Sequence, residues 1–267
     1  MEIIETFVKG RLKGFLACED VLVQNTNFVA VIDGVSDRSG RLYGRRSGGR
    51  LAADVAQWAL HHLDPEATIS TCVEQMTQRL ARVLDAYDYD YALDRPGASF
   101  VAYSSQRREV WSVGDCSFRI DDEVVQGDKE IDRVMLDFRR ALIKSCLAVG
   151  ETVDQLRATD TSREALMPLL QRQHLLANRP GEFGYGVING LPVPEQFLCV
   201  EEVPVDGQEI ALASDGYLFV AKTLAESEAY LADDIERDPL RIGDHPGFRA
   251  AAPGASFDDR AYIRVRL

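Results

Sequence analysis

Several short apolar runs in this chain are interrupted or ended by acidic residues, and this pattern restricts the possible folds more than any other feature. The run FLACEDVLV contains Glu19 and Asp20, the run FVAVI ends in Asp33 followed by Gly34, and the run IALAS ends in Asp215, again followed by glycine. A buried carboxylate without a partner costs several kcal/mol or stays protonated. The fold must therefore bring a cation or hydrogen-bond donors to each of these acids.

The spacing of apolar residues predicts the order of elements. Strands are predicted at 15–23, 28–32, 99–103, 109–113, 118–120, 185–189, 196–200, 209–213 and 261–267, and helices at 50–63, 69–83, 131–147, 152–176 and 220–235. The run at 118–120 is expected to continue an antiparallel meander. Short links between strands favour an α+β fold of antiparallel sheets covered by helices, and no linker divides the chain, so 1–267 is predicted to be one domain.

Charge and composition exclude several classes of binding partner and site. The chain has 43 acidic and 30 basic side chains, a net charge of −13, which repels nucleic-acid phosphates and anionic lipid, so neither partner is predicted. No apolar run approaches the ~18 residues of a membrane helix, and Met1 to Gly10 resembles no export signal, so a cytoplasmic protein is expected. The five cysteines include no closely spaced pair, which argues against a disulfide framework and a zinc site.

Each acidic position alone has a simpler explanation. An Asp-Gly pair after a strand is usually a turn, Glu19 and Asp20 could face solvent on an edge strand, and Asp258 and Asp259 could belong to an ordinary loop. Their combination favours convergence, and a divalent metal is the usual way to offset the repulsion between carboxylates at contact distance. Hard oxygen ligands select magnesium or manganese, and two such ions can clamp a phosphoryl group.

The chain resembles the metal-dependent protein phosphatases, the type 2C serine/threonine phosphatases, as a divergent bacterial-type member. Five short motifs in family-like order carry the resemblance: Glu19-Asp20, Asp33-Gly34, Gly114-Asp115-Cys116, Ser214-Asp215-Gly216 and Asp258-Asp259. The resemblance implies two packed antiparallel sheets flanked by helices on both outer faces, a four-layer αββα arrangement. It also implies that the helical segment at about 151–178 is a flap beside the active site.

The resemblance further implies a set of metal ligands. Asp20 and Asp33 would each bind metal at the catalytic centre, with Asp33 bridging two Mn²⁺ or Mg²⁺ ions and Gly34 offering its carbonyl oxygen. Asp215 and Asp258 would complete the shell of one ion.

The chain also departs from the family. Val35-Ser36-Asp37 stands where His-Gly-Gly is expected, and Phe15 stands where the family has a phosphate-binding arginine. Asp115 matches one ligand of a third, looser metal site, but Phe219 replaces the second.

Four basic residues near the first two motifs could replace the missing arginine. Arg11, Lys13, Arg45 and Arg46 are candidates because guanidinium groups bind phosphate bidentately. The alternative is that they are solvated loop residues of an acidic protein.

The function that follows is a metal-dependent phosphomonoester hydrolase, a protein serine/threonine phosphatase that acts on a phosphorylated protein in signalling. The alternative is a catalytically weak or inactive phosphatase-like regulatory or binding module. A metal-dependent nuclease or nucleotide hydrolase is disfavoured because basic and aromatic residues do not alternate. A cysteine-based phosphatase is disfavoured because no cysteine has arginine at the required spacing.

Overall fold

The computed structural model describes residues 1–11, 18–36, 40–88, 95–203, 207–251 and 258–267. Among these residues the strands are β1 (Glu2–Lys9), β2 (Val21–Gln24), β3 (Phe28–Gly34), β4 (Ala98–Ser104), β5 (Glu109–Val113), β6 (Ser117–Ile120), β7 (Glu123–Val125), β8 (Cys199–Glu202), β9 (Glu209–Ala213) and β10 (Arg260–Arg266). The α-helices are α1 (Gly48–His61), α2 (Ile69–Leu84), α3 (Glu130–Ala148), α4 (Val153–Ala158), α5 (Thr161–Leu170) and α6 (Leu224–Arg237), and 3-10 turns lie at Gln173–Leu176 and Glu195–Phe197.

The strands form two antiparallel sheets that pack face to face. Sheet I has the order β2-β3-β4-β5-β8, and sheet II has the order β1-β10-β9-β6-β7. Alternate residues of β3 serve two cores: Val29 and Val31 pack between the sheets against Leu212 and Ile263, whereas Ile32 faces the helices. Because both faces of β3 are covered, its sequence is continuously apolar rather than alternating.

Helices cover the outer face of each sheet. On sheet I, α1 and α2 contribute Leu51 and Leu80 to a core shared with Phe100 and Trp111. Their boundaries follow from sequence, since Ser47 and Thr68 accept the backbone N–H bonds that begin the two helices.

On sheet II, Tyr262 packs with Tyr217, Val220 and Leu224, and α6 begins at Leu224. The predicted class, two packed antiparallel sheets flanked by helices, is confirmed.

A separate group of helices lies beside the sheets. Ile131 and Met135 of α3 pack against Leu166 and Leu170 of α5. The segment 151–178, predicted as a helical insertion, holds α4, α5 and a 3-10 turn.

One predicted strand pairing is wrong. β6 pairs with β9 in sheet II and does not continue the β4-β5 meander of sheet I. The chain crosses between the sheets at Gly114, whose φ of +94° is a left-handed conformation, and a β-carbon there would lie 2.4 Å from that of Ser99. Glycine is needed at this crossing.

Other predicted boundaries also differ. Residues 185–189 form isolated bridges rather than a strand, because the Asn178 side chain bonds both the N–H (2.9 Å) and the carbonyl (2.8 Å) of Val187. The strand predicted at 196–200 begins only at Cys199. Strand β1 was not predicted because its exposed edge carries mixed charges.

In the described part of the chain, every helix is too short or too polar to cross a membrane.

Candidate metal centre

The ends of strands from both sheets bring three aspartates together. Asp33 lies near the end of β3, Asp215 follows β9 by two residues, and Asp115 lies in the link between β5 and β6. Each offers a carboxylate oxygen, and these three oxygens all lie within 4.8 Å of one another. The structure thus gathers residues that are 182 positions apart in sequence at their extremes.

Asp20 lies beside this group and is almost fully buried. Its side chain is 2% exposed, and the Ser214 hydroxyl donates a hydrogen bond of 2.6 Å to Asp20 Oδ2. Ser214 Oγ in turn accepts from the Ala261 N–H at 2.8 Å, so β10 holds it in place. Burial, together with the negative charges of Asp215 and its neighbours, raises the pKa of Asp20 well above its ordinary value.

Glu19, adjacent to Asp20, has a supporting role. Its carboxylate accepts a short hydrogen bond from the Ser47 hydroxyl at the start of α1. Its N–H donates to Asp259 Oδ2 at 2.7 Å. The predicted burial of the Glu-Asp pair is therefore satisfied by two different sets of donors.

The two residues of the pair Asp258-Asp259 also have different contacts. Asp258 lines the cavity that holds Asp33, Asp115 and Asp215. Asp259 accepts the N–H of Arg11 at 2.5 Å, and the Arg11 Nε lies 3.8 Å from Asp258 Oδ1. Burial raises the pKa of Asp258, while neighbouring arginines counteract part of this shift.

No cationic side chain of the described residues forms an ion pair with Asp33 or Asp215. Burial raises the pKa of each carboxyl well above its ordinary value, and the nearby carboxylates raise it further. The Asp215 N–H donates to Asp33 Oδ2 at 3.3 Å. A divalent cation is the partner that such a pair lacks.

Asp115 differs because a lysine neutralises it. The ammonium of Lys129 forms a close ion pair with Asp115, and the Ser99 hydroxyl donates to Asp115 Oδ1 at 2.5 Å. Burial acts to raise the pKa of Asp115, but these two contacts outweigh it and hold the pKa below its ordinary value. Lys129 also lies 3.8 Å from Asp132 and 5.1 Å from the centre of the Tyr185 ring.

An open cavity of about 660 Å³ surrounds these acids. Gly34, Val35 and Ser36 line it beside Asp33. A β-carbon at Gly34 would lie 2.6 Å from the backbone of Gly49, so this glycine is required by the close approach of β3 and α1. All four histidines are described, and none lines the cavity.

The predicted basic residues are distributed unevenly. Arg11 lies beside Asp258, as described above. Arg46 pairs with Asp54 at 3.1 Å, Arg45 is exposed, and neither lines the cavity. Lys13 lies outside the described residues, as does Phe15.

Two cations of the cavity, Lys129 and Arg249, were missed by sequence reasoning. Lys129 lies immediately before α3, and Arg249 lies in the loop that follows α6. Neither belongs to a motif or a periodic pattern, so no local signal could have identified them. The segment 151–178 contributes Gln173 to the same cavity, and the Gln173 side chain donates to Asp132 Oδ1 at 2.5 Å.

The donor set fits a hard divalent cation. Three carboxylate oxygens lie within 4.8 Å of one another, the pKa values of Asp33 and Asp215 are raised, and no histidine or cysteine is among the converging ligands. Such a set suits Mg²⁺ or Mn²⁺ rather than zinc. Asp33 and Asp215 are less compensated than Asp115. Asp258 lies close enough to raise the pKa of both, and Asp20 raises the pKa of Asp33.

Comparison with known proteins gives structural matches only. No protein-family model matches the chain, and no curated protein sequence is similar to it. The crystal structure of the serine/threonine phosphatase PstP/Ppp of Mycobacterium tuberculosis is similar over 100% of this chain and 99% of that chain, with a TM-score of 0.54 and 15% identity. The PPM Ser-Thr phosphatase MsPP of Mycobacterium smegmatis, in complex with cacodylate, covers 100% of both chains with a TM-score of 0.50 and 15% identity.

A third structure is the catalytic domain of the phosphatase PstP in complex with two manganese ions. It is similar over 97% of this chain and 96% of that chain, with a TM-score of 0.50 and 15% identity. At this level of identity the likeness concerns the fold. The chain has the fold of the PPM serine/threonine phosphatases, which confirms the fold implied by the sequence motifs.

Proposed function

We propose that this protein is a metal-dependent phosphomonoester hydrolase that removes phosphate from serine or threonine of another protein. The convergence of Asp33, Asp115 and Asp215 to within 4.8 Å, at the ends of separate strands, carries the proposal. The shared fold supports it, since PstP, one of the proteins with this fold, is described with two manganese ions.

Four acids would hold Mn²⁺ or Mg²⁺. Asp33 would be the central ligand, because its carboxylate converges with those of Asp115 and Asp215 and accepts the Asp215 N–H. Asp20, Asp215 and Asp258 would complete the shells, and Gly34 lies next to Asp33 in the cavity wall. When bound, such ions supply positive charge for the phosphoryl oxygens and lower the pKa of water.

The protein's own residues fix the orientation of these ligands. The Ser214 hydroxyl donates to Asp20 and the Asp215 N–H donates to Asp33, and these hydrogen bonds restrict the orientation of the two carboxylates. Because no histidine lines the cavity, we assign protonation of the leaving alcohol to water in the open cavity. This assignment replaces the general-acid role that a histidine would otherwise take.

The test is hydrolysis by the purified protein. With MnCl₂ it should hydrolyse p-nitrophenyl phosphate and a phosphoserine peptide, EDTA should stop the reaction, and Asp33→Asn should abolish it. Asp233→Asn is the matched control, because Asp233 is an exposed acid of α6 that pairs with Arg237 away from the cavity. Activity that survives Asp33→Asn, or no hydrolysis with either Mn²⁺ or Mg²⁺, would refute the proposal.

A phosphatase-like binding module without efficient turnover is the second candidate. The observation that favours it is the Lys129 ammonium, which already neutralises Asp115 and so reduces the demand for metal. In that case Mn²⁺ would raise the melting temperature while no phosphate is released. Thermal unfolding and the hydrolysis assay together distinguish the two candidates.

A further inference from the structure

Five cationic side chains of the described residues line the cavity, and they differ in their partners. They are Lys129, Arg133, Arg140, Arg241 and Arg249. Lys129 pairs with Asp115, Arg133 with Glu130, and Arg241 with Asp234. Arg140 donates to the Gly243 carbonyl at 2.7 Å.

Arg249 is the exception. Its guanidinium makes no hydrogen bond or ion pair with any residue in the described ranges, and it lines the same cavity as Asp258 and Asp259. It therefore lies at the acidic end of the cavity with its donors available. A phosphate dianion needs such donors, because the carboxylates around it repel it.

The backbone on both sides of Arg249 is held by the helical insertion. The Arg163 guanidinium donates to the Phe248 carbonyl at 3.1 Å, and the Ala250 N–H donates to Asp160 Oδ2 at 2.8 Å. The Arg157 guanidinium donates to the next carbonyl, that of Ala251, at 3.1 and 3.0 Å. Three side chains of the α4–α5 region thus fix the loop at the residues that flank Arg249.

We call the contacts of Arg157, Asp160 and Arg163 with this loop the clamp. Arg139 of α3 connects the clamp to the beginning of the loop. Arg139 is 1% exposed, and its guanidinium donates to Asp160 Oδ2 at 3.0 Å and to the carbonyls of Leu240 and Gly247, both at 2.9 Å. The loop that carries Arg249 is therefore fixed at its beginning and at its end. A side chain on such a backbone loses less entropy on binding than one on an unsupported loop.

We infer that Arg249 binds the phosphate group of the substrate, and that α4 and α5 position it for this role. The inference rests on the proposed function and adds to it a specific residue and a purpose for the helical insertion. Arg249 takes the place of the phosphate-binding arginine that the sequence lacks at Phe15. A planar guanidinium can donate two parallel hydrogen bonds to phosphate, which lysine cannot.

The test compares substrate binding with metal binding. In the Mn²⁺-loaded full chain, Arg249→Ala should raise the KM for a phosphoserine peptide and the inhibition constant of inorganic phosphate by about 10- to 100-fold, the effect of losing charge-assisted hydrogen bonds. Mn²⁺ affinity by titration calorimetry should be unchanged or higher, because a cation beside Asp258 is removed. Arg249→Lys should restore part of the loss, and Arg237→Ala, on the surface of α6, should behave as wild type.

A positioning variant tests the clamp. Arg163→Met keeps α5 but removes the donor to the Phe248 carbonyl, so the KM should rise less than in Arg249→Ala while kcat changes little. If the wild-type protein hydrolyses the peptide and Arg249→Ala has the same KM and phosphate inhibition, the inference is wrong and the proposed function stands.

A direct measurement of phosphate binding tests the inference if the protein does not hydrolyse the peptide. If the wild-type protein shows no hydrolysis, calorimetric titration of the Mn²⁺-loaded protein with inorganic phosphate decides the matter. Binding that is lost in Arg249→Ala would support the inference although the hydrolase proposal fails. Binding that is equal in both proteins, or absent from the wild-type protein, would refute the inference.

Discussion

Replacing Asp33 with asparagine should have opposite effects on stability without and with metal. The substitution keeps an oxygen that can accept the Asp215 N–H, so the hydrogen bond of 3.3 Å survives. It removes the charge at the centre of the acidic cluster. Because that charge repels its neighbours in the metal-free protein and binds the cation in the loaded one, the sign of its contribution depends on metal.

The magnitude follows from the separation of the carboxylates. Two unit charges at 4.8 Å repel by about 3.5 kcal/mol at an effective dielectric constant of about 20. Lys129 offsets the charge of Asp115, and Asp215 is in contact with solvent on its cavity side although protein atoms surround its other sides. A net relief of roughly 1–2 kcal/mol is therefore expected near pH 8. For a chain of this size that corresponds to an increase of roughly 2–8 °C in the melting temperature.

The assay is thermal unfolding of both proteins in EDTA and again with Mn²⁺. At 100 times its dissociation constant, Mn²⁺ should stabilise the wild-type protein by about 2.7 kcal/mol and Asp33→Asn by much less, so the order of stability reverses. Asp233→Asn controls for the change in net charge. If Asp33→Asn is less stable than the wild-type protein in EDTA, the acids do not repel one another as the geometry requires.

Three further predictions concern pH, the sheet crossing and the core. The carboxyls of Asp20, Asp33 and Asp215 keep their protons in the folded state to a higher pH than in the unfolded chain, so the metal-free protein should lose stability as pH rises above the ordinary value of 3.8. A melting temperature that rises instead would contradict this. Gly114→Ala should lower the free energy of unfolding in urea by about 1–3 kcal/mol, because a β-carbon there would contact Ser99. Gly150→Ala should lower it less, since Gly150 has a similar φ of +97° but open space around it. Equal losses in the two variants would show that the contact with Ser99 contributes nothing. Leu60→Ala in the core beneath α1 should cost about 2–5 kcal/mol, and exposed Leu42→Ala, the control, should be nearly neutral in the same measurement.

Local sequence determined most of the secondary structure. The strands at Glu109–Val113 and Glu209–Ala213 were predicted with their observed ends, because apolar runs bounded by polar turns need little tertiary information. The helix α2 follows equally from its apolar spacing and the capping residue Thr68. Edge strand β1 was missed because half of it faces solvent, and its stability comes from pairing with β10.

The acidic half of the candidate site was also evident from sequence. Asp33 and Asp215 follow buried strands, a placement that carries a large free-energy penalty unless a partner is present, and so it stands out in a single chain. Motif order then supplied the expectation that these acids converge. The structure places Asp33, Asp115 and Asp215 together, with Asp20 and Asp258 beside them.

The cationic residues of the candidate site could be identified only from the tertiary structure. Lys129 and Arg249 lie in polar segments where a lysine or arginine has no cost of exposure, so nothing in the local sequence distinguishes them from Arg45 or Arg46. Their positions depend on how α3 and the loop after α6 pack against the sheets. A buried charge is visible in sequence because it needs compensation, whereas the residue that compensates it can come from any exposed segment that the fold brings near.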